Sequence, residues 1–152
     1  TDKSMATVLA AMRKNKGLKR LKLKNIKLSN RKLQDYLKDF LKHNKEVSEI
    51  ALSWLSLSPI VLVEFAKLLS KKKNLQFLDL SWNNMQENRN APHILTQFMF
   101  SMRKIISAKK LFHIDLSGML LGASIRMLID PLRSSLNICS IHLSDNEVPI
   151  EV

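Results

Sequence analysis

Two aspartates and two histidines stand in fixed relation to a recurring aliphatic residue. Asp79, Asp115 and His142 each follow it by one position, behind Leu78, Ile114 and Ile141, and His113 directly precedes Ile114. Ser81, Ser117 and Ser144 come two positions later. Carboxylates and imidazoles on one face can hold a divalent transition metal, and Ser, His and Asp together are the parts of a hydrolase triad. Neither chemistry is expected. The serine also recurs at Ser53, so it follows the spacing rather than marking one nucleophile, and no glycine-rich turn or strained elbow presents it. His43 and His93 have no companions at ligand spacing, and Cys139 reads as a small packed residue rather than a redox site. The expectation is a non-enzymatic polar recognition surface without metal, cofactor or small-molecule substrate. In it Asp79 and Asp115 favour a Lys or Arg on a partner, and His142 makes contact pH-sensitive.

Charge and aromatic residues add to that surface. The net charge is +12, and residues 1–45 carry +11 of it. Arg20, Lys22 and Lys24 alternate with Leu21 and Leu23, so they project together from one face of a strand. Such a patch attracts acidic protein first, with nucleic acid or an anionic membrane as the secondary class. The patch has no aromatic side chain on which a base can stack, which weakens the nucleic-acid reading. Trp54 and Trp82 both lie four positions after the recurring aliphatic, where Asn25, Gly118 and Asp145 stand elsewhere. Two readings stay open for them: an exposed aromatic rim of hot-spot composition, or rings folded over the turn against a helix layer.

What positions these residues is a repeated spacing. Leu18, Leu21, Leu23, Ile26 and Leu28 form the first copy. The other four are anchored at Ile50, Leu78, Ile114 and Ile141, with apolar residues or Asn at offsets −3, 0, +2, +5 and +7 throughout. The steps between anchors are 29, 28, 36 and 27 residues, so the chain is a repeat protein. Alternation predicts strands at 20–24, 49–53, 77–81, 113–117 and 140–144, with offsets −1, +1 and +3 facing outward.

Helical periodicity fills the intervals: Leu33–Leu41, Leu62–Leu69, Leu95–Ile106 and Ile125–Leu132, preceded by a stripe of Met5, Val8, Leu9 and Met12. Ser58-Pro59 reads as an N-cap with proline at the first helical position, and Pro92 opens the next helix likewise. Pro131 is expected to end or kink the fourth helix early. The 36-residue step places an extended polar loop at Gln86–Ala91. Met85, Met99, Met102 and Met119 fall on core positions.

The segment Leu75-Gln-Phe-Leu78-Asp-Leu80-Ser-Trp-Asn83-Asn-Met85 resembles the leucine-rich repeat consensus, and a period near 28 is similar to the ribonuclease-inhibitor-like subclass. That resemblance implies an α/β leucine-rich-repeat solenoid, with a curved parallel sheet on the concave face and helices on the convex face. Only Asn83 and Asn146 occupy the asparagine position, against Ile26, Leu55 and Met119, so the buried ladder is incomplete.

Residues 1–152 are expected to form one such domain of about five repeats, with no flexible linker among three glycines and four prolines. Both ends cut a repeat in the middle, so a segment of a longer protein is expected. A single cysteine and no membrane-spanning run point to the cytoplasm. The functional expectation is a protein-interaction module binding along its concave face and aromatic rim. The alternative is a structural subunit of a cytoskeletal, ciliary or ribonucleoprotein assembly, docked through its basic N-terminal end.

Overall fold

The computed structural model describes residues 2–86, 92–108 and 110–149, so most of the Gln86–Ala91 loop lies outside the described residues. Helix α1 (Asp2–Met12) precedes β1 (Arg20–Lys24), α2 (Arg31–His43), β2 (Glu49–Ser53), α3 (Pro59–Leu69) and β3 (Phe77–Asp79). Then come α4 (Pro92–Ile106), β4 (His113–Asp115), a 3₁₀ segment (Gly122–Leu128), α5 (Ile129–Ser134) and β5 (Ser140–His142). The fold is α/β. All five strands are parallel and follow chain order across one sheet, and the helices pack each against the next.

Leu21, Ile50, Leu78, Ile114 and Ile141 pair in one line across the sheet. The first four are buried, and Ile141 on the edge strand is exposed. A continuous core runs from Leu9 through Leu37, Phe40, Phe65, Phe98 and Met102 to Leu128. Each unit buries its apolar stripe against its neighbours, the condition for a stack of units to be stable. The four methionines expected in the core are all buried.

Local sequence explains the element boundaries. Asn30 caps α2, its Oδ1 accepting from the Lys32 N–H at 2.9 Å, and Leu33, Leu37, Phe40 and Leu41 bury one face. Ser58 precedes α3 with extended backbone and Pro59 at the first position, but its hydroxyl makes no capping bond. Strands β3 and β4 are two residues shorter than the alternation predicts. The Oδ1 atoms of Asp79 and Asp115 accept from the N–H groups of Ser81 and Ser117 at 3.0 and 2.9 Å, and these Asx turns bend the chain out of the strand.

The fourth helix differs most from expectation. It becomes a 3₁₀ segment followed by one and a half turns of α-helix, with the junction before Pro131 rather than at it. Proline has no N–H to give the carbonyl four residues back, that of Met127. Arg103 Nη1 reaches across from α4 and donates to that carbonyl at 3.1 Å. Cys139 is exposed rather than packed. It shares offset −2 with Lys19, Gln76 and Phe112, which are exposed, and with Ser48, which is half-buried. The carbonyls of Lys19, Ser48, Gln76 and Phe112 each accept two N–H groups there, at 2.8–3.2 Å.

Candidate docking face and aromatic rim

On the open face of the sheet, the three basic residues of β1 are each engaged by a later strand. Arg20 Nε meets Glu49 Oε1 on β2 at 2.9 Å, and the Lys22 ammonium lies 5.7 Å from the centre of the Phe77 ring on β3. Lys24 Nζ donates to Asp79 Oδ2 at 2.7 Å. That last pair skips a strand, and two inter-strand steps of about 4.8 Å require the whole length of a lysine. The lysine arm passes over β2, where Ala51 and Ser53 are buried. Ser53 Oγ beneath it has no hydrogen-bond partner among the described residues.

The row Asp79, Asp115, His142 forms across the sheet as the spacing predicts. Its chemistry differs from expectation at the first member. Asp79 is only 3 % exposed, and its carboxylate is already taken by Lys24 and by the N–H and hydroxyl of Ser81. Burial raises the pKa of this carboxyl, but the hydrogen bonds from Lys24 and Ser81 and the lysine charge outweigh it, so the group ends below its ordinary value. Asp79 therefore answers a lysine of its own chain, not one of a partner. Asp115 remains half-buried beside it.

His113 stacks flat on Phe77, ring centres 4.2 Å apart and planes 3° from parallel, and tilts against His142 at 5.1 Å. Burial, then repulsion from His142, lowers the His113 pKa below 6.5, against a smaller opposite pull from Asp115 and Asp79. Ser140 Oγ lies 3.2 Å from His142 Nε2. The open face thus grades from engaged cations at β1 to the Phe77, His113 and His142 rings on β3, β4 and β5.

Just past the strands, the indoles of Trp54 and Trp82 stack with centroids 4.6 Å apart and planes 14° from parallel. They are 52 % and 40 % exposed, so the rings do not fold into the helix layer. The backbone there carries a signal that sequence reasoning missed. Asn25, Trp54, Trp82, Gly118 and Asp145 all have φ between 55° and 65°. In the first four, the N–H donates to the carbonyl of the serine at offset +3 in the next unit, at 2.8–3.2 Å, which holds the left-handed conformation in place. Asn, Gly and Asp tolerate that conformation, while a bulky side chain is strained in it. Their presence at three of the five positions was the available signal.

Asn83 and Asn146 link neighbouring units from inside. Asn83 Nδ2 donates to the Leu52 and Leu80 carbonyls at 2.7 and 2.9 Å, and its Oδ1 accepts from the Leu55 N–H. Asn146 does the same with Leu116, Leu143 and Leu121. Buried Asn44 was not anticipated. Its Oδ1 accepts from the N–H groups of Glu46 and Val47 while its Nδ2 donates to the Asn15 and Leu18 carbonyls.

No protein-family model matches the chain, and no curated protein is similar to it in sequence. Solved structures are similar. One titled "Leiomodin-1 Actin-Binding Site 2 (ABS2)" superposes with a TM-score of 0.64 at 12% identity, over 98% of this chain and 79% of its own. The tropomodulin C-terminal domain of Caenorhabditis elegans gives 0.66 at 14% identity, over 95% of this chain and 83% of its own. These likenesses correct the family resemblance drawn from the spacing: the neighbours are leiomodin and tropomodulin domains, not ribonuclease-inhibitor-like leucine-rich repeats. The 3₁₀ interruption, the uneven steps and the two-member asparagine ladder are departures from the regular repeat on which that resemblance rested.

Proposed function

We propose that this chain is a non-catalytic docking module of the cytoskeleton, engaging an actin-class protein partner through its basic N-terminal end, its open sheet face and the Trp54–Trp82 rim. The observation that carries the reading is the exposed indole stack. Two bulky side chains kept exposed and strained, where Asn or Gly serves elsewhere, are better accounted for by contact than by stability. The likeness to a domain whose title names actin binding supports the class of partner.

The basic end supplies the charge. Lys14, Lys16, Lys19, Lys27 and Arg31 are exposed, and their side chains have no hydrogen bond or ion pair among the described residues. Arg20, Lys22 and Lys24 are internally engaged, so the free cations lie beside the face rather than on it. They would meet an acidic stretch of the partner and speed its approach. Asp115, His113 and His142 would then line the far end of the contact.

In finer detail we read the fold as a solenoid of leucine-rich-repeat type outside the ribonuclease-inhibitor-like subclass, with a concave sheet and convex helices, the 152 residues acting as one cytoplasmic unit. A rigid surface of this kind loses little conformational entropy on binding. Co-sedimentation with actin filaments tests the reading. The chain should pellet with filaments, and Trp54→Ser with Trp82→Ser should abolish this while circular dichroism is unchanged. Failure of the unaltered chain to pellet at tens of micromolar filament overturns it.

A further inference from the structure

A cleft of about 510 Å³ opens between the C-terminal ends of α2 and α3 and the segments leading from them into β2 and β3. Because the strands are parallel, it lies at the edge of the sheet opposite the tryptophan rim. Five lysines converge on it, Lys42, Lys45, Lys71, Lys72 and Lys73, against one carboxylate, that of Glu46. The negative ends of two helices account for a lysine each. They do not account for five around one concavity.

The lysines are unevenly employed. Lys72 Nζ donates to the carbonyl of Asn44, the residue that caps α2, and burial with no opposing carboxylate holds its ammonium below the usual lysine value. The ammonium groups of Lys42, Lys45, Lys71 and Lys73 have no hydrogen bond or ion pair among the described residues. Five like charges against one carboxylate repel one another on balance, and a bound anion removes that repulsion. Leu41 and Leu68 add an apolar wall to the same cleft.

We infer that this cleft is a binding site for a compact polyanion, a small ring bearing two or more phosphate groups. Its volume is in the range of small-ligand sites. Lysine ammoniums are compact point charges that bind phosphate oxygens, and five of them around one concavity suit a ligand carrying several such groups. The leucines back the carbon face of the ring. Such a ring comes from a soluble inositol polyphosphate or from the headgroup of a phosphoinositide membrane. The site adjoins the proposed actin contact but shares no residue with it.

Titration calorimetry of the whole chain with inositol hexakisphosphate at about 0.15 M salt, where exposed charges are screened beyond about 8 Å, tests it. One saturable site is expected. Replacing Lys45, Lys71 and Lys73 with Gln should weaken it at least about tenfold through the lost charge-assisted bonds. Replacing Lys3, Lys27 and Lys32 with Gln removes the same charge near the starts of α1 and α2, at the helix ends opposite the cleft, and should change affinity less than about threefold, because those groups are distant and screened. Equal weakening in both triple variants means general charge attraction and overturns the site, as does the absence of saturable binding. Flotation with phosphatidylcholine vesicles containing phosphatidylinositol 4,5-bisphosphate then separates the sources. Flotation lost in the cleft variant assigns the membrane headgroup, and no flotation with calorimetric binding intact assigns the soluble ligand. The Trp54→Ser, Trp82→Ser chain should bind the phosphate probe normally, so failure of the actin reading leaves this result standing.

Discussion

The indole of Trp82 lies on the α-carbon of Gly118, so close that a Cβ there would sit 2.5 Å from Trp82 Cε3. Gly118 also has φ +65°. Both constraints act on the position that, one unit earlier, is Trp82 itself. The rim is therefore a graded stack: Trp54 on Trp82, and Trp82 on bare backbone.

Gly118→Ala should lower stability by about 2 kcal/mol, from the left-handed backbone and the displaced indole together. Urea denaturation measures the loss. A shift in tryptophan emission should accompany it, and unchanged emission with unchanged stability would refute the packing described.

Trp54→Asn should act in the opposite direction on stability. Asn accepts φ 57° more readily, so the chain should be unchanged or gain about 1 kcal/mol while losing the exposed ring. A marked fall in melting temperature would mean that the indole contributes packing that its exposure does not suggest.

Asn83→Ala leaves the Leu52 and Leu80 carbonyls and the Leu55 N–H without their buried partner and should cost about 3 kcal/mol. Thermal unfolding checks this. The loss should exceed that of Asn30→Ala, which removes one exposed cap worth about 1 kcal/mol.

Two pH windows follow from the open face. Asp79 has a folded pKa below its ordinary 3.8, so its contribution is present above that value and lost as pH falls through the folded value. His113 is depressed below 6.5, so its unfolded form takes up protons first and stability declines as pH drops from about 6.5 toward the folded value. In melting curves against pH, Asp79→Asn should flatten the lower window and His113→Phe the upper one. A histidine proton resonance for His113 titrating at or above 6.5 would contradict the second.

The strand register and the core were legible because a period near 28 residues puts every aliphatic anchor in phase, and phase does not depend on any single side chain. Arg20 with Glu49 was within reach of sequence, since both stand at offset −1 in adjacent units. Lys24 with Asp79 was not, because it joins different offsets across an intervening strand. The fourth helix was misjudged because periodicity records which faces are apolar and not whether each carbonyl finds a donor. Pro131 left one without, and Arg103 supplied it from another helix. Lys71, Lys72 and Lys73 were visible as a run, but their meeting with Lys42 and Lys45 exists only in three dimensions.

In a stack whose units touch only their immediate neighbours, every junction is a place to bend. Lys24 spans from the first unit to the third, and Gln86 Nε2 reaches Glu147 Oε2 at 3.0 Å, from the third to the fifth. Each tie splints the junctions on either side of the unit it bypasses. Together they cover all four junctions between strands, so flexing at one is felt two units away and the array behaves as a braced beam rather than a chain of hinges.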